Sequence, residues 1–487
     1  MNEAQQIKNP SITLYPFHLR DDRDESNKQV AKNAQNLWEN LADNVGKEFD
    51  INELKSLRDK LICYKNGHYE PDDKQENLND GKLLTPDGKT LKFQPITQPD
   101  GQKLNGSIYP LRIHDTYTVD LTFYYQNSKI KVSELTQLNP QGCLLPNAIK
   151  PSLGQTLLLY AEPAVYDTYR KLADECVKAF VQNKQDKPEK SVDFRAEGKL
   201  FGSPIFEYDS RDDDATKRCH ILVWLKQNPQ TLNSATSAFN FYLINLLCSR
   251  AKIVFVYHEA GEKYRKAQQI VSKLEKTLPK FSEIEKEQNR QIKLQKLKEL
   301  LAEVRTKMFD FSQQMRYLQE DRNTIDTNAE NYRDALTKIK SLCIDGDNLD
   351  FLHKFLDLAE NKYQRQIEID LNYLIASQDL FQQSISTVRG IVEIEQVELD
   401  TEQEQNEKTR DRQLENIIFF IGTAIGGGQI FSAAYPLIKD TPIQWQPNFS
   451  LPLHPFFATL IYSVLFGLGF GFLTLLIVRV ARKIFPK

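Results

Sequence analysis

A stripe of uncharged, mostly polar side chains is the part of this sequence whose residue types and spacing could do chemistry. Its members follow steps of three and four residues, which place side chains on one face of an α-helix, and charged residues crowd the positions between them. In chain order they are Asn406, Thr409, Gln413, Asn416, Phe420, Thr423 and Gly427. Amide and hydroxyl oxygens facing a shared axis can hold a hydrated cation without trapping it. The stripe therefore predicts the lining of a pore.

Two further features bear on this interpretation. The glycines Gly426, Gly427 and Gly428 weaken a helix where they stand together. Gly426, Gly428 and Gln429 are expected to form the outer mouth of the pore. The alternative is that the stripe arose by chance on a helix that packs against a neighbour. A straight helix drifts by about 20° per heptad from a strict seven-residue repeat, so an extrapolated face loses definition along its length.

An acidic cluster between two predicted strands is the second candidate for chemistry. Its carboxylates are Asp209, Asp212, Asp213 and Asp214. Hard cations such as Mg²⁺ or Ca²⁺ prefer oxygen ligands, so the cluster could be a regulatory metal site, although a solvated hairpin loop is the favoured interpretation. The stretch 345–350 resembles a calcium loop only faintly, and we expect it to end one helix and cap the next.

Catalysis is not expected, because the sequence contains no G-x-S-x-G elbow and no defensible Ser/His/Asp grouping. No cofactor is expected either, apart from Mg²⁺ or another divalent cation as permeant ion or regulator. The 63 Lys and Arg residues nearly balance the 66 Asp and Glu residues, which gives no argument for a nucleic-acid partner. Six scattered cysteines without a C-x-x-C pair are typical of free thiols in a reducing compartment.

Two apolar segments would position the stripe in a membrane. Ile417–Ala434 has 18 residues and Phe456–Val480 has 25, and a membrane span needs about 20. Basic residues precede the first segment and end the second, whereas the loop between them carries one lysine. By the positive-inside rule both termini are cytoplasmic. Since the chain start lacks the pattern of a signal peptide, we expect a multi-pass protein of the inner (plasma) membrane with a cytoplasmic soluble part.

Long helical patterns precede the first apolar segment. A heptad seam is formed by Leu294, Leu297, Leu301, Val304, Met308, Phe311, Met315 and Leu318. After the turn at 345–350, a second seam runs from Ile367 to Leu399 and continues into the polar stripe. The sequence predicts one uninterrupted helix from Asn348 to about Tyr435, as a stalk that leaves a membrane would need.

Residues 1–260 mix short β-branched or aromatic runs with helical patterns, which predicts an α/β or α+β domain. The predicted strands are Ile12–His18, Leu61–Tyr64, Thr118–Tyr125, Thr156–Tyr160, Pro204–Tyr208, His220–Leu225 and Ile253–Tyr257, and the predicted helices are Asn27–Val45, Ala164–Val181 and Ser234–Ser249. The expected fold class is α+β: a cytoplasmic α/β domain (1–260), a long antiparallel coiled-coil segment (261–346), a stalk helix (347–413), and a two-span transmembrane domain with a basic tail (414–487).

This order of elements resembles the CorA family of divalent-cation channels. The resemblance implies a homopentamer in which the first span lines the pore and the second faces lipid. The family carries a Gly-Met-Asn triplet at the outer end of the first span, and this chain has Gly426–Gln429 there instead. All three methionines, Met1, Met308 and Met315, lie elsewhere, so magnesium selectivity is not carried over.

CorA-like proteins without the triplet also occur as membrane effectors beside bacterial defence systems, where a cytoplasmic domain senses a nucleotide signal. Three alternative functions are therefore considered for such a chain. The first is an oligomeric cation channel, the second is a membrane effector gated by a small nucleotide, and the third is a coiled-coil membrane tether with no pore.

Overall fold

The structure is a computed structural model, and it describes most of the chain up to residue 403. The described residues are 6–22, 29–71, 81–98, 101–164, 168–181, 192–210, 212–231 and 236–403, with the isolated positions 422, 469 and 473. The predicted pore stripe from Asn406 to Gly427 and the predicted outer mouth (Gly426, Gly428 and Gln429) lie outside the described residues, as do the two apolar segments apart from those isolated positions.

The chain divides into two compact units. The first comprises Met1–Lys276 and Arg305–Gln382, and the second comprises Thr277–Val304 and Gln383–Lys487. Long helices contribute residues to both units. The fold is α+β, with a large mixed sheet and long helices, so the predicted fold class is confirmed at that level.

An eleven-stranded sheet forms the framework of the first unit, and a two-stranded sheet (β2 and β3) accompanies it. The strands are β1 (Gln6–Leu19), β2 (Tyr64–Lys65), β3 (His68–Tyr69), β4 (Lys82–Leu83), β5 (Leu91–Lys92), β6 (Ile96–Thr97), β7 (Lys103–Ile113), β8 (Thr116–Tyr125), β9 (Lys129–Lys131), β10 (Gly154–Pro163), β11 (Asp193–Leu200), β12 (Ser203–Asp209) and β13 (Cys219–Leu225). The main order is β11-β12-β13-β10-β1-β8-β7-β4. In this order β10 and β13 are parallel and the other neighbours are antiparallel.

The central strands β10 and β13 are buried along almost their whole length, which explains their continuous apolar sequences. Alternate side chains point to opposite faces of the sheet. On one face Leu157 and Val223 join the main core. On the other face Trp224 contacts the ring of Phe239, with the ring centroids 5.9 Å apart. The strands predicted within β1, β8, β10, β12 and β13 are confirmed.

Three of the nine described α-helices are very long. The helices are α1 (Asn36–Asn40), α2 (Asn52–Lys55), α3 (Pro146–Ile149), α4 (Tyr169–Val181), α5 (Ser237–Thr277), α6 (Pro279–Glu285), α7 (Arg290–Ser341), α8 (Asp350–Leu358) and α9 (Arg365–Gln403). A π-helical stretch, Leu41–Gly46, continues α1, and a second one, Ala359–Gln364, joins α8 to α9. Short 3₁₀ helices occupy Leu57–Lys60, Val132–Leu138, Pro140–Gly142 and Ala215–Lys217.

Three local predictions are wrong. Ile253–Tyr257 is not a strand but the middle of α5, because Ile253 and Val256 fall on a helical face that the core buries. Leu61–Tyr64 is mostly a turn, with Tyr64 beginning the short β2. The helix predicted from Asn27 starts at Asn36, and Val30 forms an isolated bridge with Asp21.

Fully buried apolar residues recur every seven positions in α5, α7 and α9. They are Leu246, Ile253, Ala260, Ala267 and Leu274 in α5, then Leu297, Val304, Phe311, Leu318, Ile325, Tyr332 and Ile339 in α7, and Ile367, Leu374, Phe381 and Val388 in α9. Within the first unit, Phe381 packs against Phe311 with ring centroids 5.1 Å apart. Within the second, Glu395 pairs with Lys293. The buried seam of α9, which includes Phe381, therefore packs against α7 of the same chain.

One helical stretch among the described residues, Ser237–Glu285, is long and apolar enough to cross a membrane by length and composition. Of its most apolar window, 56% is buried inside the protein. Phe239, Leu243 and Leu246 belong to the buried residues of this stretch. The same pattern is typical of a core helix under a sheet, so this stretch is weak evidence for a membrane.

Candidate functional site

The predicted acidic cluster forms the turn between β12 and β13. The carboxylate of Asp214 caps the short 3₁₀ helix by accepting the backbone N–H of Thr216 at 2.9 Å. Arg218 donates to the carbonyl oxygens of Asp212 and Asp213 at 2.6 and 2.8 Å. These contacts stabilise the turn. Across the described ranges, no three His, Cys, Asp or Glu side chains come together as a metal site would require.

Asp209, the fourth member of the cluster, belongs to a different arrangement that we call the charged joint: Glu207 and Asp209 of β12, His220 of β13 and Arg250 of α5. The guanidinium of Arg250 donates to Glu207 Oε1 and to Asp209 Oδ2, both at 3.0 Å. The carbon of this guanidinium lies 4.6 Å from the ring centroid of Phe355 in α8. A single arginine of α5 therefore contacts both the sheet and α8 of the first unit.

Burial strengthens the ion pairs of the charged joint. The side chains of Arg250, Glu207 and Asp209 are 12%, 9% and 18% exposed. Burial by itself would raise the pKa of Glu207, but the hydrogen bond from His220 and the charge of Arg250 outweigh it and lower that pKa to about 2. The pKa of Arg250 is raised, because the carboxylates of Asp209 and Glu207 outweigh the loss of hydration. Both groups stay charged throughout the physiological pH range.

His220 completes the charged joint as a neutral imidazole. Its Nε2 lies 3.1 Å from Glu207 Oε1, and its Nδ1 lies 3.0 Å from the hydroxyl of Thr156. With the proton on Nε2, the ring donates to the carboxylate and accepts from the threonine. Burial and the charge of Arg250 lower the pKa of His220, against the opposing effect of Glu207. A histidine that looks catalytic in isolation is held here as a structural hydrogen-bonding group.

This assignment predicts how stability depends on pH. Below about pH 6.5 the unfolded chain protonates His220 while the folded chain keeps it neutral, so the wild type loses stability on acidification by at most about 1.4 kcal/mol per pH unit. His220→Gln lacks this pH-dependent contribution to the free energy of unfolding, because glutamine does not titrate. We expect the stability difference between wild type and His220→Gln to narrow by about 1 kcal/mol between about pH 7.5 and about pH 5.5. Urea unfolding at both pH values measures it, with His68→Gln at an exposed position as the control. A constant difference would contradict the assignment.

A second contact, which we call the Asp347 latch, ties the turn between α7 and α8 to the β11–β12 hairpin. The carboxylate of Asp347 accepts the backbone N–H groups of Phe201, Gly202 and Ile344 at 2.8, 2.7 and 3.0 Å. Two backbone hydrogen bonds of 2.8 Å join Lys199 to Asn348 beside it. The stretch 345–350 separates α7 from α8 as predicted, but the prediction that it caps the next helix is wrong, because the N-cap residue of α8 is Leu349 and makes no side-chain capping hydrogen bond. Its central aspartate instead fastens the helices to the sheet.

Glycine at position 198 allows this close approach. A Cβ added at Gly198 would lie 2.6 Å from the carbonyl oxygen of Asn348 and 2.6 Å from the ring of Phe351. We expect Gly198→Ala to destabilise the first unit by about 1–3 kcal/mol, because backbone atoms must move to admit the methyl group. Thermal unfolding measures the effect. Gly261→Ala in α5 is the matched control, since a Cβ there meets nothing within 4 Å and alanine favours the helix by up to about 1 kcal/mol. Equal stability of the two variants would contradict the close contact.

Further ion pairs fix α5 along its length within the first unit. Lys252 pairs with Asp115 at the turn between β7 and β8. Lys263 donates to both carboxylate oxygens of Asp321 in α7, at 2.9 and 3.0 Å. Together with the charged joint and the Asp347 latch, these pairs connect the sheet to α5, α7 and α8. These contacts fix three helices of the first unit to its sheet.

Sequence reasoning located Asp209 and Asp347 but assigned neither its partners nor its role. It placed His220 only at the start of the predicted strand His220–Leu225 and did not single out Glu207 or Arg250. A weak signal was present, because Glu207 interrupts the strand Pro204–Tyr208 and Arg250 follows an apolar helical run. Comparison with protein-family models, with curated proteins and with solved structures finds no match to this chain.

Proposed function

We propose that this protein is an oligomeric cation channel of the inner membrane, with CorA-like architecture and with a cytoplasmic domain that acts on a stalk helix. The observation that carries the proposal is the long helical stretch from Asp350 to Gln403, which precedes the first apolar segment in the chain. A Cβ added at Gly422 would lie 2.8 Å from the guanidinium of Arg389, so residue 422 lies beside α9 and not in line beyond its end. The predicted uninterrupted helix from Asn348 to about Tyr435 is therefore wrong, because a straight helix would separate these residues by about 50 Å. In this proposal the first apolar segment follows the stalk in the chain and lines the pore.

The seven-residue recurrence of buried residues supports a coiled-coil interpretation of α5, α7 and α9. Each helix carries one such seam, and contacts such as Phe311 with Phe381 place the seams against one another within the first unit. Packing of this type makes a stiff bundle. The polar stripe from Asn406 to Thr423 begins where the α9 seam loses its apolar residues, so the proposal assigns the two parts different roles. The seam holds the stalk within one chain, and the stripe faces the axis shared by several chains.

Gating follows from the contacts that fasten the sheet to the helices. Arg250 contacts β12 and α8, and Asp347 holds the turn from which the stalk starts. A displacement of β12 would therefore be passed to α8 directly through Arg250. The π-helical stretch Ala359–Gln364 separates α8 from α9, and stretches of this kind are frequent at functional sites.

A cavity in the first unit favours the second candidate, in which a small nucleotide gates the effector. It has a volume of about 370 Å³, and its lining includes Tyr242, Asn245, Asn328 and Lys338. The ammonium of Lys338 lies 5.7 Å from the ring centroid of Tyr242. Aromatic rings stack on bases, amides read their edges, and lysine binds phosphate. The cavity borders the turn between β7 and β8, so a ligand there would contact the sheet, which the gating proposal requires to move.

Ligand binding is tested by thermal shift of the full chain against mononucleotides and cyclic oligonucleotides. We expect one nucleotide to raise the melting temperature, and we expect Lys338→Met to abolish the shift. Lys340→Met, which changes an exposed lysine two residues away, should leave the shift intact. A nucleotide shift that survives Lys338→Met would place its site elsewhere, and no shift with any nucleotide would remove this candidate.

Membrane integration is tested by the accessibility of single cysteines in intact cells. An impermeant maleimide should label a cysteine in the loop 436–455 and should not label one after residue 480, as the basic flanks predict. The chain should also resist alkaline extraction of membranes. Labelling of both positions, or release at alkaline pH, would overturn the proposed topology.

A further inference from the structure

Besides its buried seam, α9 carries another row of regularly spaced residues on a different face. It follows alternating steps of four and three residues and contains no charged residue, although α9 carries ten charged residues at other positions. Its members are Ile369, Tyr373, Ala376, Leu380, Gln383, Thr387, Gly390, Ile394, Val397 and Thr401. We call this set the outer seam. Alternating steps of three and four are the repeat by which helices pack into coiled coils.

Four of the five large apolar members of the outer seam are exposed, and the fifth, Leu380, is partly buried. In the first unit, Ile369 is 38% exposed and Tyr373 is 68% exposed. In the second unit, Ile394 is 58% exposed and Val397 is 63% exposed. Single exposed apolar residues are ordinary on a protein surface, but a series of them at heptad spacing marks an interaction face. By contrast the buried seam, with Leu374 and Phe381, is already filled by the chain's own helices.

We infer that the outer seam is the surface by which the stalk helix of one copy packs against a second copy of this chain. A parallel copy presents the same seam in the same register, and the large residues of one copy can lie beside small ones such as Ala376 and Gly390 of the other. This inference rests on the proposed function for the parallel orientation, because copies inserted in one membrane with the same topology run in the same direction.

Two carboxylates beside the outer seam are paired within the chain. In the second unit the carboxylate of Glu393 pairs with Arg389 at 2.7 Å, and that of Glu398 pairs with Arg290 at 3.3 Å. These pairs reduce the repulsion between copies that approach along this part of the face. In the first unit, Tyr373 also borders a groove of about 330 Å³ between α5 and α9, with space for a side chain of the neighbouring copy.

Cysteine cross-linking tests this surface in the full chain, in membranes and with Cys343 replaced by serine. Ile394→Cys and Val397→Cys place thiols on the outer seam. Ile375→Cys is the matched control, because Ile375 is 48% exposed on the same helix but lies off the seam. With a short bifunctional maleimide, the two seam variants should shift to twice the chain mass on a denaturing gel, and the control should stay at the mass of one chain. Equal cross-linking of all three, or of none, would overturn the inference.

A second variant separates this inference from the channel proposal. Ile394→Glu should dissociate the oligomer in detergent, as measured by light scattering, whereas Ile375→Glu should leave it intact. Cross-linking at the seam without cation flux would uphold the surface and contradict the channel. The opposite outcome is cation flux without cross-linking at residues 394 and 397 and without dissociation of Ile394→Glu. It would uphold the channel and contradict the outer seam as the contact surface.

Discussion

Replacing Arg250 by methionine should lower the free energy of unfolding by about 3–5 kcal/mol, the range found when one partner of a buried ion pair is removed. Methionine keeps much of the apolar stem of arginine but removes the guanidinium. The carboxylates of Glu207 and Asp209 then remain buried without their cation, and Phe355 loses its contact with that charge. Urea or thermal unfolding of the full chain measures the loss.

The matched control for this variant is Arg265→Met on the same helix. The side chain of Arg265 is 65% exposed, and its ion pair with Glu262 lies on the surface. Pairs of this kind contribute about 0–1 kcal/mol, so the control should unfold close to the wild type. If the two variants proved equally stable, the charged joint would not hold the sheet to the helices.

Replacing both Asn416 and Thr423 by leucine should reduce cation flux to the level of empty liposomes. Both residues lie on the polar stripe, and leucine removes the oxygens that would replace water around a passing cation while narrowing the path. Fluorescent-indicator measurements on proteoliposomes, with equal amounts of inserted protein, give the result. Oligomer mass should be unchanged, which separates loss of conduction from loss of assembly.

Ile417→Leu with Ala424→Leu is the control for the stripe. Each position is displaced by one residue from the stripe, so it falls on another face of the predicted helix. This double variant should conduct as the wild type does. A tether without a pore would show no difference between the two pairs, and loss of flux in the control pair alone would place the axis on another face.

The sequence predicted the central strands well because their signals are local. Runs such as His220–Leu225 are rich in β-branched and aromatic residues, and they form strands whose two faces are buried. The prediction was wrong for Ile253–Tyr257, where the same residue types lie within α5. Short apolar runs of this kind do not distinguish a strand from a buried helix, and packing decided between them.

The charged joint and the latch lay beyond sequence reasoning because their partners are distant in the chain. Arg250 is 43 residues from Glu207, and Asp347 is 146 residues from Phe201. No pattern in one sequence assigns such pairs. Heptad spacing likewise predicted that α7 and α9 each bury a face, but it did not say that the two helices would cover one another. The exposed residues of α9 define the outer seam, which the sequence analysis did not separate from the buried seam on the same helix.

The central claim is that copies of this chain conduct cations across a membrane, and cation flux through the purified full-length protein in liposomes tests it most directly. The account predicts that an imposed gradient of Mg²⁺ or of a monovalent cation collapses faster than in protein-free liposomes, with the gating ligand supplied by cytosolic extract where it is needed. Flux equal to that of protein-free liposomes for every cation, with and without extract, from protein shown to be inserted and oligomeric, would contradict it.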